Sequence, residues 1–297
     1  MTAIRRVAVI VNPIAGSGRR VRAGRRRAER AKGCLEAAGV RANIFVSERP
    51  HHAGELTRTA LEQRPDLVFA WGGDGTVNEV ASILAFSETP LAIVPDGSGN
   101  GLAASLGVPR PPEAAIRSAL GRSERVIDVG QLDDRLFFNV AGIGFDAHVA
   151  RLFAETPGRR GFATYLRIAL RELPRFTPTR CRVVLHGESR EHRVDLVALA
   201  NGAEYGNGAR IAPNARLDDG ELDLVVVESR SPVVNLWRAG RLMAGGLQNG
   251  SGVEITRVRM LRIEADAPIP YHVDGEPGIA GAAIDIRVHA GALRVRS

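Results

Sequence analysis

The sequence predicts two domains, an α/β domain on a parallel sheet over residues 1–124 and a β-rich, sandwich- or barrel-like domain over 125–297. Three observations carry this. Strand-like and helix-like stretches alternate up to about residue 125, the pattern of right-handed βαβ units. Glycine-rich loops follow three of those strands, at the carboxyl ends where parallel sheets bind ligands. After Gly121 the rhythm changes to dense short strands with few helices between them.

The elements follow in order. IRRVAVIV, Ile4 to Val11, is apolar and β-branched and reads as the first strand. A Gly/Ser loop leads into a helical pattern through about Ala38. RANIFV is the second strand, and a helix containing Leu56, Ala60 and Leu61 comes next. DLVFAW, Asp66 to Trp71, and LAIVP, Leu91 to Pro95, are the third and fourth strands. ERVIDVGQL and DRLFFNVAGIG read as paired strands joined near Asp133 and Asp134. Helices are expected from about Asp146 to Glu155, Gly161 to Leu173 and Val233 to Met243. CRVVLHG, HRVDLVALAN, ELDLVVVE, RVRMLRIEA, PIPYHVDGE, AAIDIRVH and ALRVRS supply the remaining strands, the last a candidate to return to the first domain. No internal repeat or low-complexity linker separates the halves.

An apolar fraction of 44% with 33 glycines is globular composition rich in tight turns. No run of about 18 apolar residues occurs, so no helix is expected to cross a bilayer. MTAIRRVAVIV lacks the apolar stretch and cleavage site of a secretory signal and reads as cytosolic. Cys34 and Cys181 are too few and too far apart for a disulfide framework or a zinc site. The net charge is +7, and Lys32 is the only lysine among 40 basic residues. Arginine is densest in RRVRAGRRRAER, Arg19 to Arg30. Such a face attracts anionic lipid or nucleic acid, or is simply a solvated helix. Aromatics are only 5% and do not interleave with the basic run, which argues against a nucleic-acid binder.

The strongest motif is WGGDGTVNEV, Trp71 to Val80, where an apolar strand turns into a helix. Gly72, Gly73 and Gly75 let the backbone turn sharply and approach a ligand closely. The helix start then offers N–H groups and a positive dipole to an anion. Asp74 would repel phosphate there unless a divalent cation or its water shell lies between them. VNPIAGSGRR, Val11 to Arg20, is a second strand–loop–helix nest, without the Gly-Lys-Ser/Thr of a Walker A loop. PDGSGNGLAASLG, Pro95 to Gly107, is a third; Ser98 and Asn100 are candidate phosphate donors, and Asn100 a candidate helix cap. In the second domain VDGEPG places Asp274 and Glu276 two apart. On an extended chain both would point the same way, one taking a hydroxyl proton while the other holds it in place. The same turn also occurs as a plain solvated hairpin. NARLDDGELDL, Asn214 to Leu224, is a similar acidic turn. GFATYLRIALREL puts Phe162, Leu166, Ala169, Leu170 and Leu173 on one face, which would line an apolar slot, touch a bilayer or pack as a core helix.

GGDGTVNE, NPIAGSG, GSGN, LDDGELD and DGE occur in the order seen in diacylglycerol kinase catalytic domain proteins. The sequence resembles that family, which includes bacterial soluble diacylglycerol kinases, related lipid kinases, sphingosine kinases and ceramide kinases. The resemblance implies a phosphofructokinase/NAD-kinase-like nucleotide-binding α/β domain and a β-rich, sandwich-like lipid-binding domain. It implies ATP and Mg²⁺ as cofactors and a membrane lipid as substrate: ceramide, a sphingoid base or diacylglycerol. Asn12, Pro13, Ser17, Ser47, Gly72, Gly73, Asp74, Gly75, Thr76, Asn78, Glu79, Ser98 and Asn100 would line the ATP site, with Asp74 ordering Mg²⁺ through water. Asp274 would be the general base, assisted by Glu276. Asp146 falls where sphingosine kinases place a headgroup carboxylate, and Gly101, Phe162 and Leu166 would lie on the lipid side. Asp219 corresponds to a structural-metal position, although Arg216 stands where some relatives carry an acid. Diacylglycerol kinases usually read GTGND or GTAND, whereas GSGNGLAASL is closer to the sphingosine kinase GSGNALAASL, which favours sphingoid or ceramide acceptors. The rival readings are an NAD or small-polyol kinase sharing only GGDGT, and a catalytically inactive nucleotide- or lipid-binding regulator. The expected setting is cytoplasmic, peripheral to the anionic inner face of the membrane, without nucleic acid and with a homodimer left open.

Overall fold

The structure, a computed structural model, describes residues 4–13, 20–156, 161–250 and 252–297. The chain divides into two compact units, Met1–Ile127 with Gly291–Ser297, and Asp128–Ala290.

The first unit opens with β1 (Arg6–Val11), α1 (Arg20–Ala37), β2 (Arg41–Val46), α2 (His52–Leu61), β3 (Leu67–Gly72) and α3 (Asp74–Leu84). It continues with β4 (Leu91–Pro95), α4 (Gly101–Ser105) and α5 (Pro112–Gly121). The strands pair in parallel in the order β2-β1-β3-β4. Every residue of β3 and β4 is buried, as expected for central strands covered on both faces. Val7, Val9, Val11, Phe69, Trp71 and Val94 pack with Ala31 and Leu35 of α1 and Ile116 of α5. Each fully buried aliphatic or Phe side chain contributes about 1.5–3 kcal/mol. The spacing of Val77, Val80, Ala81 and Leu84 puts the apolar stripe of α3 inward.

The second unit contains most of β5 (Arg125–Leu132), then β6 (Arg135–Phe137), β7 (Val140–Gly144), α6 (Phe145–Glu155), α7 (Phe162–Glu172), β8 (Thr179–Leu185) and β9 (Glu188–Ala200). There follow β10 (Leu222–Glu228), α8 (Pro232–Met243), β11 (Val253–Val258), β12 (Met260–Glu264), β13 (Pro270–Val273), β14 (Glu276–Ile279) and β15 (Ala283–Val295). The main path runs β14-β13-β7-β9-β8-β12-β15, with β10 joining β9 to β11. Strand alternation feeds two cores. Val197, Leu199, Leu222, Leu224 and Val226 enter one, while Ala198, Ala200, Val225 and Val227 enter the other.

Three expectations are corrected. DRLFFNVAGIG is not one strand, because it breaks at Phe138 and Asn139 between β6 and β7. RVRMLRIEA divides between β11, which begins earlier at Val253, and β12. AAIDIRVH and ALRVRS are one strand, β15, which passes Gly291 at φ 60. Its start pairs antiparallel with β12, and Val295 near its end pairs in parallel with Leu91 of β4.

Candidate active site

In the first unit the loop after β3 and the loop after β4 meet backbone to backbone. A Cβ on Gly97 would lie 2.5 Å from the Cα of Gly73, and one on Gly72 would lie 2.6 Å from Thr76 Oγ1. No other residue type fits these positions without moving backbone. Gly73 caps α3 in an extended conformation, and the first-turn amides of α3 have no acceptor within the helix, as at any helix start. Asp74 then joins the loops: its Oδ2 accepts the Asn100 N–H and its Oδ1 the Gly101 N–H, both at 2.8 Å. This gives Asp74 an anchoring role that the sequence did not reveal, in addition to the cation inferred from its charge.

Asn100 sits at φ 57 with its side chain folded onto Gly97, Oδ1 accepting from the N–H and Nδ2 donating to the carbonyl, both at 2.8 Å. It is therefore a loop pin and makes no side-chain cap bond to α4, which corrects the cap expected for it. Gly101 is buried at the start of α4 with its N–H given to Asp74. Asn12 Nδ2 donates to Thr76 Oγ1 at 2.8 Å, tying the end of β1 to α3. Pro13 is buried beneath α1, where a Cβ on Gly24 would come within 2.8 Å of it. Ser47 is buried at the end of β2, its N–H donated to the Val11 carbonyl. Glu79 points away from the loops. Its Oε2 accepts the N–H groups of Ala53 and Gly54 at 2.9 and 3.3 Å and so caps α2. Asn78 accepts from Ser82 Oγ at 3.5 Å, and Ser98 is exposed at the tip of its loop. Ser17 lies outside the described residues.

Two residues here went unnoticed in the sequence. Arg27 of α1 donates to the Asn12 carbonyl at 2.7 Å and pairs with Asp96 Oδ2 at 2.6 Å. Trp71 Nε1 also donates to Asp96, at 3.3 Å. Burial pushes the Asp96 carboxyl above its ordinary range, while Arg27 and Trp71 pull it back. The only advance signal was Asp96 in the turn-forming PDG.

In the second unit Asp274 and Gly275 form the two-residue turn between β13 and β14, at φ 48 and 86, the geometry for which Asp-Gly is suited. The turn corrects the same-side argument for Asp274 and Glu276. The chain is not extended between them, and Glu276 faces Val273 across the hairpin. The break between β6 and β7 now has its reason. Asp274 Oδ2 accepts the Phe138 N–H at 2.9 Å, and Oδ1 accepts those of Asn139 and Val140 at 2.9 and 3.1 Å. Amides withheld from strand pairing hold one carboxylate. Fully buried Asn201 supports them from behind, its Nδ2 donating to the carbonyls of Asp128 and Phe138.

Asp146, which the resemblance places beside a lipid headgroup, is buried with its carboxylate bonded to neighbouring groups of the second unit. It is 6% exposed, with Oδ1 accepting the Ala147 N–H at 2.7 Å and Oδ2 taking Tyr205 OH and His272 Nε2 at 2.9 Å each. Burial, with Asp146 nearby, raises the phenols of Tyr205 and Tyr165 well above their usual range, so both stay protonated. Asp219, the position that the resemblance links to a structural metal, is engaged within its own turn. Asp219 Oδ1 accepts the Glu221 N–H at 3.2 Å and Oδ2 lies 3.9 Å from Arg257, and no group of three potential metal ligands occurs among the described residues. LDDGELD serves as a docked turn, with buried Asp128 accepting the Gly220 N–H at 2.7 Å. On α7 Phe162 is half-buried and Leu166 exposed.

Residues 6–132 match the family described as Diacylglycerol kinase catalytic domain, and residues 139–297 match YegS C-terminal NAD kinase beta sandwich-like domain. The chain belongs to the diacylglycerol kinase family. A probable lipid kinase YegS-like from Chromohalobacter salexigens is 33% identical over 83% of this chain and 81% of its own. A diacylglycerol kinase from Mycobacterium tuberculosis is 31% identical over 92% of this chain and 89% of its own. The fold is that of a putative diacylglycerol kinase from Bacillus anthracis, with a TM-score of 0.79 at 23% identity, covering 100% of this chain and 98% of that one. In this chain the two carboxylates that stand out in the sequence, Asp74 and Asp274, are each held by backbone amides contributed from a distant loop.

Proposed function

We propose that this kinase transfers the γ-phosphoryl group of ATP, with Mg²⁺, to a hydroxyl of a membrane lipid, and that Asp274 receives the hydroxyl proton. The observation that carries the reading is the Asp274 cradle: three amides converge on a group that serves as a pure acceptor only when ionised. Bound ATP would supply the phosphoryl group, with Mg²⁺ neutralising charge on its oxygens. Glycines at 72, 73 and 97 keep side chains out of the approach to α3, which fits a triphosphate. Asp74 and the α3 start would hold it, and Asp74 is compatible with water-mediated contact to the metal because each carboxylate oxygen offers two acceptor sites. The base takes the proton as the O–P bond forms, since an alcohol is too weak an acid to lose it beforehand.

Diacylglycerol is the first acceptor to test, because the Mycobacterium tuberculosis relative carries that name. Ceramide and sphingosine come next, because Gly101 follows GSGN. Peripheral membrane binding is part of the proposal. Leu166 and Leu170 on α7, and Val233, Leu236, Trp237 and Met243 on α8, are exposed apolar side chains, and α8 carries arginine without acid. The deciding assay offers labelled ATP and Mg²⁺ with these lipids in micelles, and with NAD. Labelled lipid supports the proposal, and label in NAD alone overturns it. Asp274→Asn is expected to lower kcat by about 10²–10⁴-fold with ATP binding retained; equal loss of both would remove Asp274 from the role of base.

A further inference from the structure

Behind the Asp274 turn lies a polar group of side chains that the proposed transfer does not use. His272 is 3% exposed, two residues before Asp274 on β13. Its Nδ1 lies 3.2 Å from the Gly275 nitrogen, and its Nε2 lies 2.9 Å from Asp146 Oδ2. The Gly275 N–H only donates, so Nδ1 must present its lone pair, and the neutral ring then carries its proton on Nε2. That proton points at a carboxylate, which only accepts. Both bonds therefore select the same tautomer.

The carboxylate is itself fixed. Tyr205 OH and the Ala147 N–H complete its bonds. Gly142 stands opposite His272 in the β7–β13 ladder, and a Cβ there would lie 2.1 Å from Asp146 Oδ2. The missing side chain at 142 is the space the carboxylate fills. A buried polar set satisfied in this way resists rearrangement. Its outermost bond reaches the amide next to Asp274, at a turn where both residues hold positive φ.

We propose that His272 is a positioning residue for Asp274: held by Asp146 as the Nε2–H tautomer, it accepts the Gly275 N–H and fixes the turn that aims the Asp274 carboxylate. The inference rests on Asp274 being the base of the transfer. Its structural half is independent of that reading, and the experiment separates the two.

Long-range ¹H–¹⁵N spectra of the full chain, labelled in histidine, read the tautomer directly. The expected signature is a neutral ring with a slowly exchanging Nε2–H; a proton on Nδ1 overturns the proposal. The kinetic arm uses His272→Phe, which keeps the packing but not the bonds, and His272→Gln, which keeps a donor and an acceptor. His272→Phe is expected to lower kcat by about 100-fold, the scale of an ångström misplacement, with the ATP KM unchanged. His272→Gln should recover most of that loss. No recovery in His272→Gln, or a loss carried by the ATP KM, would show a merely structural role. A wild-type chain that labels no lipid overturns the base assignment, while the spectra still decide the tautomer.

Discussion

Asp74 and Asp274 were both legible as acids in glycine turns, yet their partners were not. Asp74 takes amides 26 and 27 residues away, and Asp274 takes amides more than 130 residues away. A backbone N–H has no residue identity, so no sequence pattern announces it as a ligand. The burial of Asp146 was not legible for a related reason: it depends on Gly142 standing opposite His272, a cross-strand register invisible along the chain. Glycine positions make the sharpest residue-scale test. Gly97→Ala drives a methyl against the Cα of Gly73 and toward Asn100 Oδ1, with a cost of about 1–3 kcal/mol. The ATP KM is expected to rise about tenfold, 1.4 kcal/mol, with a lowered Tm. An unchanged KM would mean that the two loops do not jointly hold nucleotide.

Among the elements, β2 and β4 fall where the sequence places them; β4, buried along its whole length, is written as a continuous apolar stretch, whereas β2 is a partly exposed edge strand with Arg41 and Asn43 in its run. The interruption between β6 and β7 was hidden because FFNVAG is apolar apart from Asn139, while the cause lies at Asp274 in another hairpin. Glu79 shows the converse. It belongs to the most recognisable motif, yet it serves a neighbouring helix. His51 begins α2 at φ 57 without a side-chain cap, and Glu79 supplies the acceptor. Glu79→Ala should lower stability by about 1 kcal/mol, roughly 3 °C in Tm, with the ATP KM within about threefold of wild type. A tenfold change in that KM with Tm unaltered would place Glu79 on the nucleotide instead.

For the molecule as a whole, the change of rhythm after Gly121 and the order of the glycine motifs were enough to show two folds and the family. Which acceptor the kinase takes was not readable, since the shape of a pocket depends on residues far apart along the chain. No helix among the described residues is long and apolar enough to cross a membrane. The proposed membrane contact rests on the exposed apolar side chains of α7 and α8. Sedimentation with anionic vesicles should show binding that weakens as salt rises from 0.05 to about 0.5 M, as screening shortens the reach of the arginines. Replacing Leu236 and Trp237 by Glu should abolish it at any salt; retention would place membrane contact elsewhere.

The path of β15 has a consequence for how the protein is made. Val295 pairs with Leu91, and the Arg296 guanidinium binds the carbonyls of Ala119, Leu120 and Arg122 that end α5, where a cation complements the helix dipole. On the ribosome, the first unit therefore emerges first but cannot be completed until residues 291–297 have left the exit tunnel. The second unit, contiguous from 128 to 290, has its whole sequence in hand earlier. The order of synthesis and the order of completion are reversed, and the nascent first unit waits with one edge of its sheet open.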